Sequence, residues 1–83
     1  MTSKLTTGKI IYEKDDIDLK ERILRAAKEY EQLSGTKPNQ AHVNPRHFPK
    51  GSIVMVVDDG FEILVVSDPM ITPRICWIGV GEP

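Results

Sequence analysis

Residues 52–68, SIVMVVDDGFEILVVSD, set two runs of β-branched and aliphatic residues on either side of Asp59-Gly60. That dipeptide suits the left-handed dihedrals of a type I′ turn, so the stretch predicts a β-hairpin over 53–66. With Asp59 and Gly60 as a two-residue loop, Asp58 faces Phe61, Val56 faces Ile63, Met55 faces Leu64 and Val54 faces Val65. Side chains alternate along a strand. One face then carries Val54, Val56, Phe61, Ile63 and Val65, and the other Ile53, Met55, Val57, Leu64 and Val66, broken only by Glu62. Both faces are apolar, so each needs a cover.

Only one other segment has the pattern of a cover. DDIDLKERILRAAKEYEQLSG places Leu19, Ile23, Ala26, Ala27, Tyr30 and Leu33 at helical spacing and predicts an amphipathic helix over about 16–34. Asp18 followed by Glu21 fits a capping box, the acids at Asp15, Asp16 and Asp18 suit the positive end of the helix dipole, and Gly35 supplies the stop. Asp18 with Arg22, and Glu21 with Arg25, stand four apart with the acid first, as surface ion pairs do. One helix covers one side of a sheet. The second apolar face is left for a partner.

The rest of the chain completes a small sheet. KIIYE (9–13) reads as a strand, AHV (41–43) as a short one ending where Asn44 meets Pro45, and RICWIGV (74–80) as the last. The expected fold is α+β: one amphipathic helix packed on a small, mainly antiparallel sheet centred on the 53–66 hairpin. With 83 residues there is room for a single domain over 1–83, with 1–8 as a flexible tail. A core of this size supplies only about 3–5 kcal/mol, and a lone cysteine forms no internal disulfide, which leaves a metal, very regular packing or association as remedies and favours association.

Composition narrows the partners. Eleven Lys and Arg against twelve Asp and Glu, for a net charge of −1, give no broad field for nucleic acid or anionic membrane. The hairpin strands carry no Lys or Arg and one aromatic, Phe61, unlike the stacking faces of RNA-binding sheets. No stretch approaches the ~20 apolar residues of a membrane span, and MTSKLTTGK lacks the apolar core of a secretory signal, so a cytoplasmic location is expected.

The reactive-looking residues cluster in NPRHFPKG (44–51). Asn44 is a good N-cap and Pro45 a good first helical residue, so one turn with free N–H groups, surrounded by Arg46, His47 and Lys50, would suit an anion. The plainer account makes 44–51 a corner, anchored to the core by Phe48. His42, His47 and Cys76 lack the spacing of a zinc motif, and would meet only through tertiary contact. Cys76, between Ile75 and Trp77, reads as a buried hydrophobe. No catalytic pair, metal or cofactor is assigned from the sequence.

These observations predict a non-enzymatic interaction or assembly module that self-associates through an apolar sheet face, a symmetric dimer above all, with Ile53, Met55, Val57, Leu64 and Val66 at the interface. A heterologous protein partner fits the same face. The alternative is a small-ligand or anion-binding protein, an enzyme included, working at the 44–51 corner; a His/Cys metal site ranks below both.

Overall fold

A computed structural model describes residues 4–58 and 61–82. In chain order the elements are β1 (Lys4–Tyr12), α1 (Leu19–Ser34), β2 (Gln40–Val43), β3 (Ser52–Asp58), β4 (Phe61–Ser67) and β5 (Ile75–Glu82). The strands form one five-stranded sheet in the order β1-β5-β2-β4-β3, with α1 on one face. The fold is the expected α+β arrangement. β1 begins at Lys4, inside the stretch expected as a tail.

Helix α1 begins where its chemistry says it should. The Glu21 backbone N–H donates to Asp18 Oδ1 at 2.8 Å, and Gly35 ends the helix at φ 76° while its N–H donates to Glu31 O at 2.8 Å. Glu21 does not complete the reciprocal half of a capping box, because Arg25 Nε donates to its Oε1 at 3.3 Å. Ile23, Ala26, Ala27 and Tyr30 are buried against the sheet, whereas Leu33 is exposed at the last turn, past the region the sheet covers. Arg22 is buried as well, so the expected Asp18–Arg22 surface pair is replaced by a cap at Asp18 and an inward-turned arginine.

The sheet is mixed rather than purely antiparallel. β2 pairs in parallel with β4 and antiparallel with β5, which makes the shortest strand the central one. The 52–67 pair of strands therefore forms one side of the sheet, with β3 at its edge, and does not centre it. Burial on both sides suits AHV and its neighbour Gln40: Ala41 and Val43 are 0 % exposed and join Ile11, Ile63, Val65, Cys76 and Ile78 beneath the helix.

The pairing of β3 with β4 differs from the expected register. Asp58 still faces Phe61, but Val56 faces Glu62, Met55 faces Ile63, Val54 faces Leu64 and Ile53 faces Val65. Val57 is the extra residue of a bulge, and one extra residue exchanges the two faces of everything beyond it. Ile53 and Met55 consequently lie on the helix side, with Met55 packed against the core, and Val54 and Val56 take their place beside Leu64 and Val66. The Asp59-Gly60 turn lies outside the described residues.

Candidate functional site

Two regions carry chemistry: the sheet face away from the helix, and the corner where 44–51 meets the start of α1. On the uncovered face, register lines up Ser52, Val66, His42, Trp77 and Ile10 in one row across all five strands. Tyr12 and Ile75 lie on the same side at one end, and Val54, Val56 and Leu64 at the other. Ile10 and Tyr12 are 66 % and 64 % exposed, and Val54 and Val56 are 56 % and 50 % exposed. These are large apolar side chains in water, and Glu62 is the acid among them.

Polar groups at the centre of this face satisfy one another. His42 Nδ1 lies 3.1 Å from Asp68 Oδ2, and Nε2 lies 2.8 Å from the side-chain amide of Gln40. The amide presents an oxygen or a nitrogen to match either protonation state of the ring. The edge of Trp77 closes the cluster, with ring centroids 5.5 Å apart. Asp68 also accepts from the Met70 backbone N–H at 2.9 Å; that bond first, and the one to His42 second, hold its carboxyl below the usual range. This matched cluster was not singled out from the sequence, since β2 and the loop after β4 meet only through the parallel pairing.

The corner is built by Asn44. Its Oδ1 accepts from the Arg46 N–H at 2.7 Å, its carbonyl accepts from His47 and Phe48, and its Nδ2 donates to Ile71 O at 2.7 Å. The expected turn is present, but its N–H groups at 46, 47 and 48 are used within it and do not face a ligand. Phe48 packs against the core. His47 Nε2–H donates to Pro73 O at 2.7 Å, tying the corner to the loop before β5.

Between corner, loop and helix start lies a cavity of about 160 Å³ whose walls include Arg22, Arg46, His47 and Arg74. Lys50 is exposed and is not among its walls. A second cavity, of about 150 Å³, lies between β1 and α1, and Arg22 borders that one too. Sequence periodicity held the clue to Arg22: it stands three after Leu19 and four before Ala26, on the apolar stripe rather than opposite it.

His42, His47 and Cys76 do not converge. Cys76 points to the helix side of β5, whereas His42 neighbours Trp77 on the other side, and among the described residues no three His, Cys, Asp or Glu side chains group as metal ligands. Cys76 is 1 % exposed, and burial pushes its thiol up to about 12, with the Arg22 charge pulling it back only in part. A thiol so placed is packing material. Among the described residues no helix is long and apolar enough to cross a membrane. Comparisons with known protein families, with curated proteins and with solved structures gave no match.

Proposed function

We propose that this chain is a non-enzymatic assembly module that pairs with a second copy of itself, sheet face against sheet face, on the side away from α1. The observation that carries the proposal is the exposure of Ile10, Tyr12, Val54 and Val56 on a face that no element among the described residues covers. Leu64, Val66 and Trp77 fill its middle; of the interface residues expected from the sequence, Leu64 and Val66 keep that place.

Size and charge both favour a second copy as the occupant. Five strands about 4.8 Å apart, from four residues in β2 to nine in β1 at about 3.3 Å each, make a face of roughly 550 Å². Two such faces together reach about the 1,000 Å² that a specific interface clears. Among the described residues the face carries two carboxylates, Glu62 paired across from Val56 and Asp68 bonded to His42, so stacking it on itself about a two-fold axis need not set like charges opposite one another. His42, Gln40 and Asp68 already bond to one another, so covering them leaves neither ring nitrogen of His42 without a partner.

Sedimentation of the full chain tests this. A dimer is expected at micromolar concentration, Ile10→Asp should convert it to a folded monomer, and Ile53→Asp, on the helix side of β3, should leave it dimeric. A monomeric wild type, or equal loss of assembly in both variants, would overturn the proposal.

A further inference from the structure

Arg22 is buried, yet its donors are unmatched. The residue is 3 % exposed, Nε and Nη1 have no hydrogen-bond partner among the described residues, and Nη2 reaches only the Asp15 carbonyl at 3.4 Å. A buried guanidinium without a counter-charge is among the costlier arrangements in a small protein, because desolvation goes unrepaid. Such a group marks a place where an acceptor belongs.

We propose that Arg22, together with Arg46 and Arg74, receives the phosphoryl group of a small phosphate ester in the 160 Å³ cavity at this corner. Donor geometry selects the ligand. The walls hold three carboxylates, Glu13, Asp15 and Asp16, beside the three guanidiniums, and Arg25, which also pairs with Glu21, adds one further cation against Glu13 and Asp15, each at 3.3 Å. Net charge at the cavity is therefore close to balanced, and it is the unmatched Arg22 donors that call for acceptors. The three terminal oxygens of a phosphate monoester suit guanidinium forks better than a single carboxylate does.

The parts have distinct tasks. Arg46 and Arg74 are exposed at the mouth, where they meet the ligand first. Arg74 is steadied by its Nη1 bond to Lys14 O at 2.7 Å, and His47, fixed to Pro73 O, positions the corner against the loop that carries Arg74. Arg22 forms the floor. Its Nε and Nη1 are covered by protein, and rotation about the last torsions of its side chain, into the cavity it borders, presents them to the phosphoryl oxygens. The cavity holds the phosphoryl group, and the ester's remainder extends outward between Arg46 and Arg74.

The test titrates the full-length chain, by calorimetry and by following arginine Nε–H resonances, with inorganic phosphate, glycerol phosphate, acetate, and chloride at matched ionic strength. Phosphate and glycerol phosphate should bind and move the Arg22 Nε–H signal, with acetate weaker by about tenfold or more. Arg22→Met should weaken phosphate by about tenfold or more, and Arg74→Gln, an exposed change compatible with folding, should weaken it measurably. Chloride reproducing the effect, a stationary Arg22 signal, or unchanged affinity in either variant would overturn the proposal.

Discussion

Replacing Arg22 by methionine should make the protein more stable. The long arginine stem is followed well by an unbranched methionine side chain, so volume is nearly kept while the charge and its unmatched donors are removed. Each buried, unsatisfied polar atom costs about 1–3 kcal/mol, and two are present, Nε and Nη1. Against that, the substitution forfeits the Nη2 bond to Asp15 O, which at 3.4 Å is long and contributes no more than about 1 kcal/mol. The balance is a gain of about 1–5 kcal/mol, and a gain of about 2 kcal/mol raises the melting temperature of a domain this size by about 8–16 °C. Urea unfolding followed by circular dichroism, at several protein concentrations so that association is separated from folding, reads the difference at unchanged m-value. A loss of 1 kcal/mol or more in Arg22→Met would refute the reasoning, because it would mean the guanidinium is already compensated and no acceptor is wanting.

Two further changes probe other parts of the fold. Gly79→Ala should cost at least about 1–3 kcal/mol and lower amide protection along β1, because a Cβ at Gly79 would stand 2.0 Å from Thr7 O and 2.5 Å from Gly8 Cα of the facing strand; stability within 0.5 kcal/mol of wild type would contradict that packing. Asp68→Asn should cost about 1 kcal/mol at pH 7. Asp68 is held below its ordinary pKa by Met70 and His42, so its contribution is full above about pH 5, where the unfolded carboxyl is ionised, and is lost as pH falls through the lower native value. Urea midpoints between pH 7 and pH 2 should therefore converge for the two proteins, and a constant gap would count against the assignment.

What the sequence made legible is what local chemistry decides. Asp18 and Gly35 bound α1 because a cap and a left-handed stop act on adjacent backbone, and 52–58 and 61–67 form strands because their side chains suit nothing else. Tertiary choices were hidden. The parallel docking of β2 on β4 joins Gln40 to Leu64 across a separation that no periodicity reports, and with it came the His42–Asp68 pair. The slip at Val57 was hidden for a related reason: both faces of the hairpin are apolar, so polarity alone does not choose between registers one residue apart, and the core beneath Tyr30 and Ile23 does. At the corner, Asn44 and Phe48 were legible as cap and anchor, and Arg46, His47 and Lys50 as candidate anion contacts, of which Arg46 and His47 line the cavity and Lys50 does not. Arg22 was assigned to an ion pair that the cap at Asp18 pre-empts.

Polarity by itself would rank the two candidate regions wrongly. His42, Gln40 and Asp68 form the more conspicuous group, with an imidazole, an amide and a carboxylate within hydrogen-bond reach, yet every ring nitrogen there already has its acceptor or donor. A cluster whose two ring nitrogens are matched asks little of a ligand, and a partner that excludes water from it leaves neither nitrogen of His42 unpaired. Arg22 presents the reverse case. It belongs to the helix face, sits among Ile11, Ala26 and Cys76, and makes no ion pair with the acids nearby, of which Arg25 engages Glu13 and Asp15. Burying it without a partner is a cost that the fold has not offset from within. Hydrogen-bond satisfaction thus separates the two sides of this sheet: the side whose imidazole is matched is the better one for a partner to cover, and the side with an unmatched cation is the better one to hold an anion.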